Sequence, residues 1–186
     1  MKKIIMLISI LAVLSSCSND NNNNNNNNNP IIEVPVPITS ENTWKLADYT
    51  YTKAVSNQQL SAYTNGNPFT LININSNIVS LNGIYVASSL DIAFNTNTIG
   101  TYTIKSAATS GAESLLKYMD IQCSISNSSG NTAIYKSTDT NINATVTEVD
   151  GKFVVNIPNE VVLQRTFVNG LVDAPQTFTF RCNKVR

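Results

Sequence analysis

From Thr43 onward apolar and polar residues alternate with a period of two, the pattern of strands that bury one face and wet the other. Thr43 to Thr52 opens the series with Trp44 and Leu46 between polar neighbours, and it predicts a first strand in which Trp44 seeds the core. Asn65-Gly66-Asn67-Pro68 predicts a turn, and Phe69 to Asn75 follows with Ile72 and Ile74 on one face. Ile78 to Leu81 and Ile84 to Val86 flank Asn82-Gly83, the dipeptide that favours a type I′ hairpin. Leu90, Ile92 and Phe94, then Tyr102 and Ile104 beyond a turn at Asn97 to Gly100, predict a second hairpin.

The alternation resumes at Met119, Ile121, Cys123 and Ile125 and breaks at Asn127 to Asn131. Ile134 to Lys136 predicts a short strand. Ile142, Ala144 and Val146 lead through Asp150-Gly151 to Phe153, Val155 and Ile157, a further hairpin. Val161 to Val168 predicts another strand, and Phe178, Phe180 and Cys182 a closing one after the turns at Asn169-Gly170 and Asp173-Ala174-Pro175. Only Ser110-Gly111-Ala112-Glu113, a capping box ahead of Ser114-Leu115-Leu116-Lys117, predicts a short helix. About ten short strands with hardly any helix make an all-β domain, an antiparallel β-sandwich or, alternatively, a closed β-barrel. Trp44-Lys45-Leu46 resembles the opening strand of lipocalin-like barrels, and that resemblance implies the barrel.

Before Thr43 the pattern is of another kind. Lys2 and Lys3 precede an apolar run from Ile4 to Leu14 that ends in small residues, the layout of a secretory signal peptide over residues 1–16. As a helix the run would reach about 16 Å, against a hydrocarbon core of about 30 Å, so it is too short to span. Leu14-Ser15-Ser16-Cys17 resembles the bacterial lipobox. That resemblance implies cleavage before Cys17 and acylation of its thiol and amine, which supplies the two or more chains that stable anchoring requires. The competing reading is an ordinary secreted protein with a cysteine near its cleavage site. Residues 17–38 then form a tether, asparagines from Asn21 to Asn29 followed by Pro30, Pro35 and Pro37, too polar and then too proline-rich to pack. Residues 39–186 remain for one β domain.

Composition narrows the chemistry. Lys plus Arg and Asp plus Glu are both 12, so there is no basic field for nucleic acid, and charged residues make up only 13% of the chain. Histidine is absent, which removes the usual general base, the usual zinc ligand and every Ser-His-Asp or Cys-His arrangement. Ser114-Leu115-Leu116-Lys117 matches the S-x-x-K string of penicillin-binding enzymes, but neither S-D-N nor K-T-G follows. Asp139-Thr140-Asn141-Ile142-Asn143 begins like a calcium loop, yet Ala144 replaces the required glycine and Asp150 the bidentate glutamate. No catalytic residue, metal site or cofactor is therefore expected. Seven tyrosines and one tryptophan among Asn and Thr residues suit a sugar-stacking surface, and they equally suit an ordinary β core. Cys123 and Cys182 stand on the apolar phase of their strands, where they form either a disulfide across the core or two independent buried thiols.

The lipobox, the asparagine-rich tether and Gly100-Thr101-Tyr102-Thr103-Ile104 after an amphipathic strand together resemble small envelope lipoproteins of Bacteroidetes, such as those of flavobacteria. The resemblance implies anchoring in the cell envelope, at the outer membrane, facing either periplasm or exterior. The leading expectation is a non-enzymatic lipoprotein whose β domain binds or scaffolds a protein or a glycan. The alternatives are a carrier of an apolar ligand inside a barrel and a carboxylate-based hydrolase of envelope or extracellular polymer.

Overall fold

The structure is a computed structural model that describes residues 40–78 and 83–186. All of these lie in the unit Val36–Arg186, and residues 1–39 and 79–82 lie outside the described residues. The signal, Cys17 and tether expectations therefore lie outside the described residues, as do Val79 to Asn82 of the expected first hairpin.

Ten strands follow in chain order: β1 Thr43–Leu46, β2 Tyr49–Ala62, β3 Pro68–Ser76, β4 Ala87–Asn95, β5 Gly100–Ile104, β6 Tyr118–Ser126, β7 Thr132–Ser137, β8 Asn143–Val149, β9 Lys152–Asn169 and β10 Thr177–Val185. Among the described residues one helix, α1, covers Ala107–Ala112. The fold is all-β and sandwich-like, as the alternation requires. It is built from one ten-stranded sheet in the order β10-β1-β2-β3-β4-β6-β5-β8-β9-β7. Further pairings of β10 with β9 and β6 with β7 return the sheet on itself, so β1-β2-β3-β4-β6-β7-β9-β10 is a continuous circuit of bonded strands. Such a circuit leaves few backbone edges open to other chains. β5 and β8 form a second bridge between β6 and the first part of the 18-residue β9.

Inward-facing side chains fill the space this sheet encloses. Trp44, Tyr51, Phe94, Tyr102, Tyr135 and Phe180 are fully buried among Ile72, Ile74, Leu90 and Ile92. Each such burial is worth about 1.5–3 kcal/mol, so the alternation is the main source of stability. Two of the polar groups that enter the core are paired there, whereas the buried Asn95 Oδ1 and Ser110 Oγ have no partner. The Trp44 indole donates to Ser88 Oγ at 3.0 Å, and Tyr51 donates to the Tyr85 carbonyl at 3.0 Å.

Several elements differ from the pattern expected of the chain. Thr43 to Thr52 is not one strand but the tight β1–β2 hairpin, turned at Ala47, whose φ is 48°. β2 then runs on to Ala62 through Lys53–Ser61, where polar residues leave no clear alternation. β4 and β5 do not pair with each other. β5 lies parallel to β6 and antiparallel to β8, because Thr96 at φ 54° redirects the chain and the Tyr102 hydroxyl binds the Thr96 and Thr98 carbonyls. The two expected strands at Phe153 to Ile157 and Val161 to Val168 are one, β9. Pro158, which has no N–H to donate, falls where the β9–β10 register slips, four steps from Ile157 to Val161 facing two steps from Cys182 to Phe180. The Asp150-Gly151 hairpin forms as expected, with φ of 54° and 70° at its two turn residues.

The helix lies one turn earlier than the capping box predicts. Ser106 is the N-cap, its Oγ accepting from the Thr109 amide at 3.3 Å, and Asp139 reinforces it by accepting from the Ser106 amide at 2.8 Å and the Thr109 hydroxyl at 2.9 Å. These bonds hold the Asp139 carboxyl below the usual carboxylate range, the Ser106 amide contributing most. Ser114 to Lys117 is a turn, with Leu115 exposed.

Candidate functional site: an amide-rich sheet face

Outward-facing side chains of β2, β3, β4, β6 and β7 fall into rows set by strand register. Asn57 on β2 lies opposite Asn73, Asn73 opposite Asp91, Asp91 opposite Gln122, and Gln122 opposite Lys136. On one side of this row stand Val55, Asn75, Ser89, Ser124 and Ile134, and on the other Gln59, Leu71, Ala93 and Asp120. The alternation that sends Ile72, Ile92 and Ile121 inward sends these residues out.

Asp91 is the hub of the middle row. Asn73 donates to its Oδ1, and Gln122 donates to its Oδ2 at 3.1 Å. Asn75 in turn donates to Asn73 Oδ1, and Asn57 to Gln59 Oε1, both at 3.3 Å. Amide groups so bonded hold fixed orientations and still present unused donors and acceptors to solvent.

Asp120 sits one register step away, diagonal to Asp91. Tyr63 donates to its Oδ2 at 2.6 Å. Burial pushes the Asp120 carboxyl up to about 6; the Tyr63 hydrogen bond and Lys136 oppose that shift, and Asp91 adds to it. Tyr63 also packs on Phe69, ring centroids 4.4 Å apart, and its ring lies against Gly111 of α1, where a Cβ would come within 3.0 Å of it. Asn65 and Asn67 donate to the Gly111 carbonyl at 2.6 and 2.8 Å, and buried Asn95 donates to the Ser110 carbonyl at 2.7 Å. The end of the amide face is thus closed by an aromatic pair on a braced helix.

A concavity of about 470 Å³ lies over the outer side of the β8–β9 hairpin and the end of β10. Thr145, Thr147 and Asn156 line it with Lys184 and Arg186, which pair with Glu41 at 2.8 Å and Asp150 at 3.6 Å.

The residues singled out from the sequence take plainer places. Tyr51, Tyr85, Tyr102 and Tyr135 are buried, so most of the tyrosines build the core and no broad tyrosine platform forms. Among the described residues no group of His, Cys, Asp and Glu could hold a metal ion, and Asp139 serves the helix cap. Lys117 does not meet Ser114; its ammonium donates to the Ile99 carbonyl at 2.7 Å. Cys123 and Cys182 are free, buried thiols in the structure. Cys123 Sγ lies 3.3 Å from Ser88 Oγ, and burial pushes its thiol up to about 12. Cys182 Sγ faces the Val155 carbonyl at 3.9 Å. The row through Asn73, Asp91 and Gln122 was hidden from sequence reasoning because its members come from strands that only tertiary pairing makes neighbours. Their shared polar phase was the one available signal.

The family of prokaryotic membrane lipoprotein lipid attachment sites matches residues 1–18, which include Cys17. No curated protein and no solved structure matches the chain. The matched segment supports lipid anchoring to the bacterial envelope through Cys17.

Proposed function

We propose that this envelope-anchored chain is a non-enzymatic binding module that holds glycan on the amide-rich face of β2, β3, β4, β6 and β7. The bonded row Asn73–Asp91–Gln122 carries the reading. Sugar hydroxyls are recognised by fixed amides and carboxylates, and C–H faces by aromatic rings such as Tyr63 and Phe69 at the border of the face. The packed interior, with Trp44, Tyr51 and Tyr135 fully buried, favours a surface site over an apolar ligand carried inside. The lipid attachment site supports anchoring to the bacterial envelope, and on this reading the module stands at the outer membrane, where envelope and extracellular glycans are at hand.

Glycan-array binding by the detergent-solubilised, full-length chain tests the reading. Asn73→Ala with Gln122→Ala should weaken any binding about thirtyfold, at about 1 kcal/mol for each of the two hydrogen bonds lost. Binding that survives the double substitution unchanged, or no binding to any glycan, overturns it.

One observation favours hydrolysis instead: Asp120, a carboxyl that stays protonated up to about pH 6, stands diagonal to Asp91. Under that reading Asp120→Asn abolishes turnover of a bound polymer and leaves its binding intact.

A further inference from the structure

At one end of the sheet two loops carry large apolar side chains into water. Loop 96–99, between β4 and β5, bears Ile99, which is 56% exposed. Loop 113–117, between α1 and β6, bears Leu115 and Leu116, which are 90% and 44% exposed. The loops are stapled together. Lys117 donates to the Ile99 carbonyl at 2.7 Å, and its ammonium lies 5.6 Å from the centre of the Tyr102 ring. The Thr103 amide also donates to the Lys117 carbonyl at 2.9 Å, and Asn95 donates to the Glu113 carbonyl at 2.5 Å. The tip is thus a braced pair of turns whose apolar residues are held outward.

Ile99, Leu115 and Leu116 stand among the exposed large apolar side chains of the described residues. The only ionisable groups on the two loops are Lys117, engaged as described, and Glu113, so immersing the tip in an apolar medium desolvates little charge. The lipid attachment site supplies the medium. From Cys17 to Ser40 the chain has 23 steps and a contour of about 80 Å at most, so every side of the domain can reach the bilayer that holds the lipid. Tethering raises the effective concentration of that surface to about millimolar, enough for a patch too small to bind from solution.

We infer that Ile99, Leu115 and Leu116 form a membrane-contacting tip that inserts into the interface of the bilayer to which Cys17 is attached. The lipid holds the chain, and the tip fixes how the domain stands on the surface. The inference rests on the anchor and not on glycan recognition, so either can fail without the other.

The test uses the full lipidated chain in phosphatidylethanolamine–phosphatidylglycerol vesicles, with an environment-sensitive fluorophore on Ala112→Cys, beside the tip, or on Asn159→Cys, an exposed position in β9. Cys123 and Cys182 are buried and stay unlabelled in the folded chain. Spin-labelled lipid should quench the fluorophore at 112 strongly and that at 159 weakly. Leu115→Asn with Leu116→Asn should reduce the quenching at 112 to the level at 159 while thermal unfolding stays unchanged. Equal quenching at the two positions in the chain with its native leucines overturns the inference, whatever the variant does. So does a blue shift at 112 that rises with protein density and is not quenched by lipid, which would place a second copy of the chain on the tip.

Discussion

Gln58 takes the part of a missing strand at Phe153. Its Nε2 donates to the Phe153 carbonyl at 2.7 Å and its Oε1 accepts from the Phe153 amide at 2.9 Å, so one side chain satisfies both backbone groups of a residue 95 positions away. The pair lies where β1 has ended and β2 continues without it, next to the bonds that Lys53 and Ser56 donate to the Arg186 carbonyl. Gln58→Ala leaves a half-buried N–H and C=O unpaired and should lower stability by about 1–3 kcal/mol in urea unfolding. Gln58→Glu keeps the acceptor but loses the donor and sets a charge against a carbonyl, and should cost at least as much. A midpoint unchanged in both variants would show that the bidentate contact contributes nothing.

Ser88 accepts from the Trp44 indole in the core and also meets Cys123 Sγ. Ser88→Ala strands a buried donor and should destabilise by about 1–3 kcal/mol, with a shift in Trp44 emission in the folded state. Wild-type stability with unchanged emission would refute the pairing.

Asp120 sets a pH dependence. Its folded-state value of about 6 lies above the ordinary carboxylate value, so between the two the native state holds a proton that the unfolded chain has released. Stability therefore falls as pH rises from about 4 to about 6, and the loss is complete above that window. Partial solvent access limits the penalty at pH 7 to about 1–2 kcal/mol. Asp120→Asn should gain that amount at pH 7 and flatten this part of the profile in urea titrations. A variant profile parallel to wild type would exclude Asp120 as the source.

The lipid attachment site matched over residues 1–18 includes Cys17, and Cys17→Ser should abolish metabolic palmitate labelling and leave the chain unprocessed or in the soluble fraction. Labelling that persists in the variant would remove Cys17 as the acceptor, and with it the premise of the membrane-contacting tip.

Cys123 and Cys182 should be inert toward Ellman's reagent in the folded chain, because burial raises both thiols and excludes the reagent. Two equivalents should then titrate on unfolding without reductant. None titrating would show that the envelope joins the pair.

The alternation of apolar and polar residues was enough to identify an all-β chain, to divide inward from outward residues in most strands, and to place the Asp150-Gly151 hairpin. Period-two patterning and turn chemistry are local, so they survive in the order of residues. The lipobox was equally legible, since peptidases and acyl transferases read it as a linear string. Tertiary structure decided what local order cannot carry. Thr43 meets Asn183, and β4 pairs with β6 rather than β5, because burying both faces of a core depends on partners far apart in the chain. The same long-range registers align Asn73, Asp91 and Gln122 into one bonded row and bring Tyr63 onto Asp120. The helix moved one turn because Asp139, thirty residues from Thr109, caps it more fully than the box around Ser110. Each outcome turned on a hydrogen bond between residues whose separation in sequence gives no sign of their contact.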